Sequence, residues 1–412
     1  MRGVEIHSLD QLRAWLHDGR PLGGLRLQDL DLAPVEGELL VRRDLSGLVV
    51  LGGSLSGALV THLQSNGAVV FPGDHTAPVN IFRAHLYTGA ELYAGLSGIG
   101  GYADTVDSRA YVWSRDARLA HDAYATLLRA IHDDSISDAL SEWVEDRQVV
   151  GIMGGHAAPR GTQGYAASAW LGHDLAQAGL LVATGGGPGA MEAANLGAAA
   201  PSRESLQAAL VTLTSVPSFH PDIGAWATVA FEALESFGPR VIPRPGTPQP
   251  QPGAAWARSQ GRSLGIPTWF YGHEPPNVFA DGIAKYFSNA VREDGLLARC
   301  NAGVVVLPGA AGTVQEVFQL ATRLYYAPDE VVLPPVVLVG LDHWTRVLPA
   351  AALLQALGAG RPMGSAVHLV DTVEEAVALV LAGASPAAGS AQPADSRART
   401  NASTHVRTSS SE

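Results

Sequence analysis

The residues with the clearest chemical potential lie in one short segment, residues 309–316 (Gly-Ala-Ala-Gly-Thr-Val-Gln-Glu). An apolar run, 303–308, precedes it and an amphipathic run, 317–322, follows it, an order that predicts a strand, a tight turn and a helix. Unpaired backbone N–H groups and the helix dipole favour an anion at such a helix start. Glu316, one turn into the helix, would lie beside the group that carries the phosphate. The combination indicates chemistry on a sugar phosphate or a nucleotide.

The same residues also have a purely structural explanation. Thr313 and Glu316 have the spacing of a capping box, in which the glutamate only satisfies backbone N–H groups at the helix start. The segment by itself leaves both explanations open.

A second glycine turn favours the chemical explanation. Residues 148–153 and 180–184 are apolar and predict two buried strands, with a helix predicted at 166–178 between them. The second strand leads into the glycine turn 185–189, which a further helix follows. Two such turns, each at the carboxyl end of a predicted strand, indicate a ligand site, because ligands of open parallel sheets bind where those ends converge.

The two motifs resemble those of the LOG family, which older descriptions call lysine decarboxylase-like. They are residues 185–195 (Gly-Gly-Gly-Pro-Gly-Ala-Met-Glu-Ala-Ala-Asn) and 308–316 (Pro-Gly-Ala-Ala-Gly-Thr-Val-Gln-Glu). Members of that family are Rossmann-like nucleoside 5'-monophosphate phosphoribohydrolases, among them cytokinin-activating enzymes and bacterial nucleotide 5'-monophosphate nucleosidases. Residues 274–277 (Glu-Pro-Pro-Asn) look like the larger bacterial nucleosidase branch. The resemblance covers residues 148–380.

The resemblance implies a set of site residues. Glu316 and Arg292 would be catalytic, and the nucleotide and its phosphate would contact Gly185, Gly186, Gly187, Gly189, Met191, Glu192, Asn277, Gly309, Ala310, Ala311, Gly312 and Thr313. The reaction chemistry agrees with a catalytic carboxylate at Glu316, because cleavage of an N-glycosidic bond builds positive charge on the ribose. A nearby carboxylate can stabilise that charge or orient the attacking water.

This chain departs from the family pattern at two points. Ala310 stands where the family usually has a second glycine, and its methyl group is tolerated only at negative φ. The family arginine lies on a helix that we predict at 281–297, where Arg292 is about one residue out of register and Glu293 occupies the expected place. Arg299 is a second candidate, and a solvated surface charge is the alternative for Arg292. Arginine suits a phosphate because its planar fork bonds two oxygens at once.

Other polar residues are weaker candidates. His156 and Arg160, in the first strand–helix turn, are candidate ligand contacts. Asp74, His75 and His85 lack the spacing of metal ligands, which favours an ordinary polar surface. We therefore predict no metal and no cofactor.

Composition excludes several functional classes. The net charge of −12 argues against binding to duplex nucleic acid, which needs a basic face. The single cysteine, Cys300, excludes an intrachain disulfide and indicates a reducing compartment. The first residues lack an apolar signal core, and no run approaches the roughly 20 apolar residues of a membrane-spanning helix. We expect a cytoplasmic protein without a membrane partner.

The elements that must position these residues predict an α/β protein. We expect a β-rich N-terminal region at 1–110, with alternating residues such as 25–32 but no clean repeat, and a helical linker at 111–147. A Rossmann-like, doubly wound parallel sheet would follow at 148–382, with the proline-rich run 239–252 as an insertion loop. The Ala-, Ser- and Pro-rich tail 383–412 should be disordered.

The resulting functional prediction is hydrolysis of nucleoside 5'-monophosphates to free base and ribose 5-phosphate by a homo-oligomer, the assembly that the resemblance implies. The alternative is a nucleotide-binding regulator or sensor without catalysis. Amino-acid decarboxylation is a third function, which would need a cofactor-bearing lysine, and Lys285 has no supporting motif.

Overall fold

The structure, a computed structural model, describes residues 4–71, 73–74, 76–238, 261–271 and 274–384. It contains one parallel sheet of four strands and one of seven, which confirms the predicted α/β class and the Rossmann-like parallel sheet. The predicted proline-rich loop and nearly all of the predicted tail lie outside the described residues. In the part of the chain that the structure describes, no helix is long and apolar enough to cross a membrane.

The larger sheet has the strand order β11-β10-β9-β5-β6-β7-β8, and all its neighbouring strands are parallel. Its strands are β5 Val149–Met153, β6 Leu181–Thr184, β7 Ser263–Gly265, β8 Gly282–Ile283, β9 Gly303–Val306, β10 Val336–Val339 and β11 Val367–Val370. The central strands are buried on both faces, as expected for short valine-rich runs covered by helices on two sides.

Helices cover both faces of this sheet, so it is doubly wound. One face packs with helices that include α7 and α15, and the other with helices that include α11 and α12. Within the described ranges, the α-helices are α1 Leu9–His17, α2 Glu36–Leu40, α3 Gly57–Ser65, α4 Gly89–Leu92, α5 Val106–Arg115, α6 Ala123–Trp143, α7 Gln163–Gln177, α8 Ala190–Ala199, α9 Arg203–Leu213, α10 Ile223–Glu235, α11 Asn289–Arg299, α12 Ala311–Tyr325, α13 Ala350–Gly358, α14 Met363–Ala366 and α15 Val373–Ala384.

The smaller sheet is built from repeating strand–helix units. Its strands β1 Glu5–Ile6, β2 Arg26–Gln28, β3 Val49–Leu51 and β4 Val69–Phe71 lie side by side in chain order. Helical segments connect them, and buried leucines such as Leu27, Leu48 and Leu59 fill a separate core. Sequential parallel strands with helical returns are the arrangement of a solenoid.

The segment between the two sheets packs with the larger one. Tyr87 pairs with Ile283 through two backbone hydrogen bonds of 2.9 and 2.8 Å, next to strand β8. The Tyr93 hydroxyl donates to the carbonyl of Pro276 at 2.8 Å. Ile136, on α6, belongs to the same large core. The boundary expected near residue 110 stays a prediction, and this segment contacts the smaller sheet as well, since Nε2 of Gln28 donates to the carbonyl of Arg83 at 2.6 Å.

The helix that we predicted at 281–297 is shorter at its start, which corrects that expectation. Residues 282–283 form β8, and α11 begins at Asn289. The reason lies in long-range contacts: Asp133, on α6, accepts hydrogen bonds from the backbone N–H groups of Phe287 and Ser288 at 2.9 and 2.8 Å. Those bonds satisfy the donors that precede the helix, and Ser288 is its N-cap residue.

Candidate functional site

In the larger sheet, the order in which the chain adds strands changes direction between the neighbouring parallel strands β5 and β9. Strands β6 to β8 extend from β5 on one side, and β10 and β11 extend from β9 on the other. The turns after β5 and β9 touch at this point, since the N–H of Gly155 donates to the carbonyl of Pro308 at 3.2 Å. The turn after β6 joins them, because Ala190 donates to the carbonyl of Gly155 at 3.1 Å. Such a switch point is where open α/β sheets bind their ligands.

Helix α12 begins at this edge without a side-chain cap. Its N-cap residue is Ala310, whereas α5, α6, α7, α9, α10 and α11 all begin at a Ser, Thr or Asp that accepts a backbone hydrogen bond. Thr313 is therefore the third helical residue, and Glu316 bonds a side chain on another helix, so the capping-box explanation is wrong. Ala310 has a φ of −121°, which accommodates its methyl group.

Two glycines of this turn differ in what surrounds them. A Cβ atom on Gly309 would lie 2.1 Å from the Thr313 hydroxyl oxygen, whereas one on Gly312 would have nothing within 4 Å. The N–H of Gly309 donates to Nε2 of His343 at 3.4 Å. Sequence reasoning missed His343, although its place just after the apolar run of β10 was a usable signal.

Arg292 and Glu316 form the central ion pair of the site. Their Nη1 and Oε1 atoms are 2.9 Å apart, and the side chains are only 8% and 14% exposed. The Nε of Arg292 also donates to the carbonyl of Ile266 at 2.7 Å, so the guanidinium is fixed rather than solvated. Burial raises the pKa of Glu316, and the neighbouring Glu293 and Glu274 act in the same direction, while Arg292 opposes the shift.

The second glycine motif lies directly against this guanidinium. A Cβ atom on Gly185 would lie 2.2 Å from Nη2 of Arg292 and 2.7 Å from the sulfur of Met191. Gly186 and Gly189 have φ angles of 73° and 71°, in the left-handed region that favours glycine. The structure thus brings both sequence motifs together around Arg292.

A buried amide network holds the glycine turn in place. Asn277 is fully buried, and its Nδ2 donates to the carbonyl of Gly187 at 3.2 Å and to Oδ1 of Asn195 at 2.9 Å. Its backbone N–H donates to the carbonyl of Gly186 at 2.9 Å. The hydroxyl of Thr184 donates to Oδ1 of Asn195 at 2.6 Å. Asn277 therefore positions the turn through backbone contacts.

Glu192 lies in a different environment from Glu316. Both of its carboxylate oxygens accept hydrogen bonds from Arg160, and both side chains are 1% exposed. These two candidates thus form a buried pair that holds the 156–160 segment against α8. His156 remains at the mouth of the site, with Nδ1 3.4 Å from Oε1 of Glu274 and half of its side chain exposed.

A further polar cluster adjoins the ion pair and was not found from the sequence. Glu293 accepts hydrogen bonds from Gln315 at 2.8 Å and from Asn289 at 2.7 Å. Asn289 also donates to the Tyr271 hydroxyl at 2.9 Å, while its Oδ1 is buried without a hydrogen bond. Phe270, next to Tyr271, is half exposed. An unpaired acceptor beside two aromatic rings can receive a flat, hydrogen-bonding ligand.

Lys285 is the only lysine of the chain, and it is fully buried. Its Nζ lies 2.6 Å from Oδ1 of Asp107, which also accepts a hydrogen bond from Trp269 at 2.8 Å. Burial lowers the pKa of Lys285, and Asp107 opposes the shift. This amine belongs to a packed ion pair.

Comparison with known proteins agrees with the resemblance in part. Residues 251–380 match the family described as "Possible lysine decarboxylase". The molybdenum cofactor carrier protein of Chlamydomonas reinhardtii is a similar solved structure, with 18% identity over 57% of this chain and 98% of its own, at a TM-score of 0.33. The molybdenum cofactor binding protein of Rippkaea orientalis shares 16% identity over 58% of this chain and 98% of its own, at a TM-score of 0.32. No curated protein matches the chain significantly.

Proposed function

We propose that this protein hydrolyses the N-glycosidic bond of nucleoside 5'-monophosphates and releases free base and ribose 5-phosphate. The observation that supports this most is the position of Glu316, a buried carboxylate one turn inside an uncapped helix at the switch point of a parallel sheet. The match of residues 251–380 to the family described as "Possible lysine decarboxylase" is compatible with enzyme activity.

The 5'-phosphate would bind at the start of α12. Ala311, Gly312 and Thr313 follow an N-cap residue that offers no side-chain acceptor, so their N–H groups can serve an anion. The dipole of this 15-residue helix adds to the attraction. Arg292 lies next to it and would balance the charge of the ligand.

The reaction would break the bond between the ribose C1' atom and the base nitrogen. The bonding electrons leave with the base, which gains a proton, and water supplies the hydroxyl group to C1'. Glu316 would stabilise the positive charge on the ribose or take the proton from the attacking water. Its raised pKa keeps this carboxylate closer to the range in which proton transfer is efficient.

Two further features fit the same proposal. The 274–277 segment, which looks like the bacterial nucleosidase branch, holds the glycine turn through Asn277. The Asn289 acceptor and the Tyr271 ring lie near enough to Glu293 to form the base side of the pocket. We also propose that the active form is a cytoplasmic homo-oligomer.

A nucleotide sensor without catalysis is the second candidate. Ala310, exposed in the turn before α12, stands where the family usually has a glycine, and Glu316 is already neutralised by Arg292. A lysine-dependent decarboxylase is less compatible with the geometry, because Lys285 is buried against Asp107 and the chain has no other lysine.

The test is release of base and ribose 5-phosphate from a panel of purified nucleoside monophosphates. Wild-type protein should release base, and Glu316→Gln should not, while both still bind nucleotide by calorimetry. Glu330→Gln, at an exposed position outside the site, is the matched control. Binding without base release by the wild type would favour the sensor.

A further inference from the structure

His156 and Glu274 contact each other at the mouth of the proposed nucleotide site, where neither side chain has a role so far. Nδ1 of His156 lies 3.4 Å from Oε1 of Glu274. The two side chains are 54% and 33% exposed, so a ligand in the site can contact them. A Cβ atom on Gly189 would lie 2.6 Å from the carbonyl carbon of His156, which shows that the histidine backbone packs directly on the glycine turn after β6.

Glu274 lies against the same glycine turn. A Cβ atom on Gly187 would lie 3.7 Å from its Oε2, and a Cβ atom on Gly185 would lie 2.2 Å from Nη2 of Arg292. Two residues of chain span about 7 Å at most, so the Glu274 carboxylate and the Arg292 guanidinium border one short turn. The charge of Glu274 also raises the pKa of Glu316, in agreement with this proximity.

Two observations place the pair on the base side of the proposed site. Glu274 follows Tyr271 by three residues, about 11 Å of chain at most, and Tyr271 belongs to the cluster that we assign to the base. The backbone just before His156 borders the phosphate turn, since the N–H of Gly155 donates to the carbonyl of Pro308. The side chain of His156, however, lies beside a carboxylate, which would repel a phosphate and not a neutral base.

The contact with Glu274 suits His156 to donate a proton. A carboxylate beside Nδ1 orients the ring and stabilises the imidazolium form, which carries its second proton on Nε2. Among the described residues, no group bonds Nε2 of His156. Imidazole changes its charge between pH 5 and 8, so it can lose and regain this proton at neutral pH.

The other charged side chains around the glycine turns have partners of their own. Arg160 is paired with Glu192, Arg292 is paired with Glu316, and Glu293 accepts hydrogen bonds from two side-chain amides. Within the described residues, Glu274 is the carboxylate that contacts the His156 ring.

We propose that His156 is the general acid that protonates the leaving base, and that Glu274 positions it, a role that rests on the proposed function. When the bond between C1' and the base nitrogen breaks, its electron pair stays with the base, and Nε2 of His156 gives the base a proton. Water adds its hydroxyl group to C1'. The proton that the water loses goes to Glu316 and returns through solvent to His156, so the enzyme is unchanged at the end of the cycle.

Two leaving groups that differ in their need for a proton test this role. A nucleoside monophosphate releases a base that must be protonated, whereas 4-nitrophenyl β-ribofuranoside 5-phosphate releases a stable anion. His156→Gln should lower kcat for the nucleotide at least about 100-fold and change kcat for the nitrophenyl substrate less than about threefold. Glu316→Gln should lower both values. His17→Gln, at an exposed position in the last turn of α1, is the matched control and should lower neither.

The pH profile gives a second measurement, which the wild type alone provides if the variants fold poorly. kcat for the nucleotide should fall on the alkaline side as His156 loses its proton, whereas kcat for the nitrophenyl substrate should not. Glu274→Gln removes the negative charge beside the ring, so this alkaline limb should move to lower pH.

The outcomes separate the acid from the proposed function. Equal losses on both substrates, in kcat or as a rise in KM, would overturn the acid and assign His156 to binding. An unchanged kcat of His156→Gln for the nucleotide would remove His156 from the reaction while the hydrolase stands. A wild type that hydrolyses neither substrate would overturn the proposed function and the acid with it.

Discussion

The guanidinium of Arg292 and the carboxylate of Glu316 lie 2.9 Å apart and join α11 to α12 beneath the two glycine turns. Arg292 is also bonded to the carbonyl of Ile266, so one side chain connects both helices with the loop after β7. A buried pair of this kind costs desolvation energy that simple packing would avoid. Its position at the sheet edge agrees with the proposed ligand, which would use both charges.

The first prediction concerns the carboxylate itself. Glu316→Gln keeps the shape of the side chain and removes its charge, so nucleotide hydrolysis should fall by about 100- to 10,000-fold in kcat. Nucleotide affinity should change less, because we assign the phosphate contacts to the start of α12. Steady-state kinetics with calorimetry separate the two quantities, and unchanged kcat would remove Glu316 from the mechanism.

The second prediction concerns pH. Burial raises the pKa of Glu316 and Arg292 lowers it, so Arg292→Gln should raise the pKa further. If the ionised carboxylate is the active form, the acidic limb of the kcat profile should move to higher pH.

The same shift affects stability in a defined direction. The folded pKa of Glu316 lies above its unfolded value, so its favourable contribution is present at pH below about 4.3 and is lost as pH rises through the folded pKa. Arg292→Gln should therefore lose more stability between pH 4 and pH 7.5 than wild type does, and at pH 7.5 it should be about 3 kcal/mol less stable than wild type, because an ionised carboxylate is then buried without its partner. Denaturant unfolding at the two pH values measures this difference.

The sequence predicted the strand–turn–helix units because each is a local pattern of apolar runs and glycines. It also predicted that the two glycine turns lie at one edge of the sheet, since parallel strands place their carboxyl ends together. The Arg292–Glu316 contact was not predictable, because it depends on how α11 packs and on where that helix begins. Asp133, remote in the chain, sets that start.

The solenoid of the N-terminal part was missed for a different reason. Its strands have only two or three residues, and helical segments of different lengths connect them. Glu5, Arg26 and Val49 occupy equivalent positions in neighbouring strands, but they share no residue type. Only the backbone pairing reveals the repeat.

The third prediction concerns Cys300. Its side chain is buried, its Sγ donates to the carbonyl of Leu296 at 3.2 Å, and burial raises the pKa of the thiol to about 12. Thiolate is the reactive form, so native protein should resist maleimide at pH 7.5 and react fully in guanidinium chloride. Mass spectrometry measures the extent of labelling. Rapid labelling of the native protein would contradict the buried position of Cys300.

The fourth prediction concerns Gly185. A Cβ atom there would lie 2.2 Å from Nη2 of Arg292, so Gly185→Ala should displace the guanidinium and lower activity at least tenfold. Gly164→Ala, in α7, is the matched control, since a Cβ there meets nothing within 4 Å. The control should retain activity and gain about 0.5–1 kcal/mol from helix propensity. Equal activity of the two variants would show that activity does not depend on the position of the Arg292 guanidinium.

The last prediction tests whether the phosphate binds at the start of α12, with a variant that should leave the fold unchanged. Gly312 is exposed in the first turn of α12, and a Cβ atom on it would meet nothing within 4 Å of the protein. Gly312→Ala should therefore fold with unchanged or slightly higher stability. Its methyl group would nevertheless occupy the space in front of the N–H groups that we assign to the phosphate. We expect KM for the nucleotide to rise several-fold at similar Tm, whereas unchanged KM would place the phosphate elsewhere.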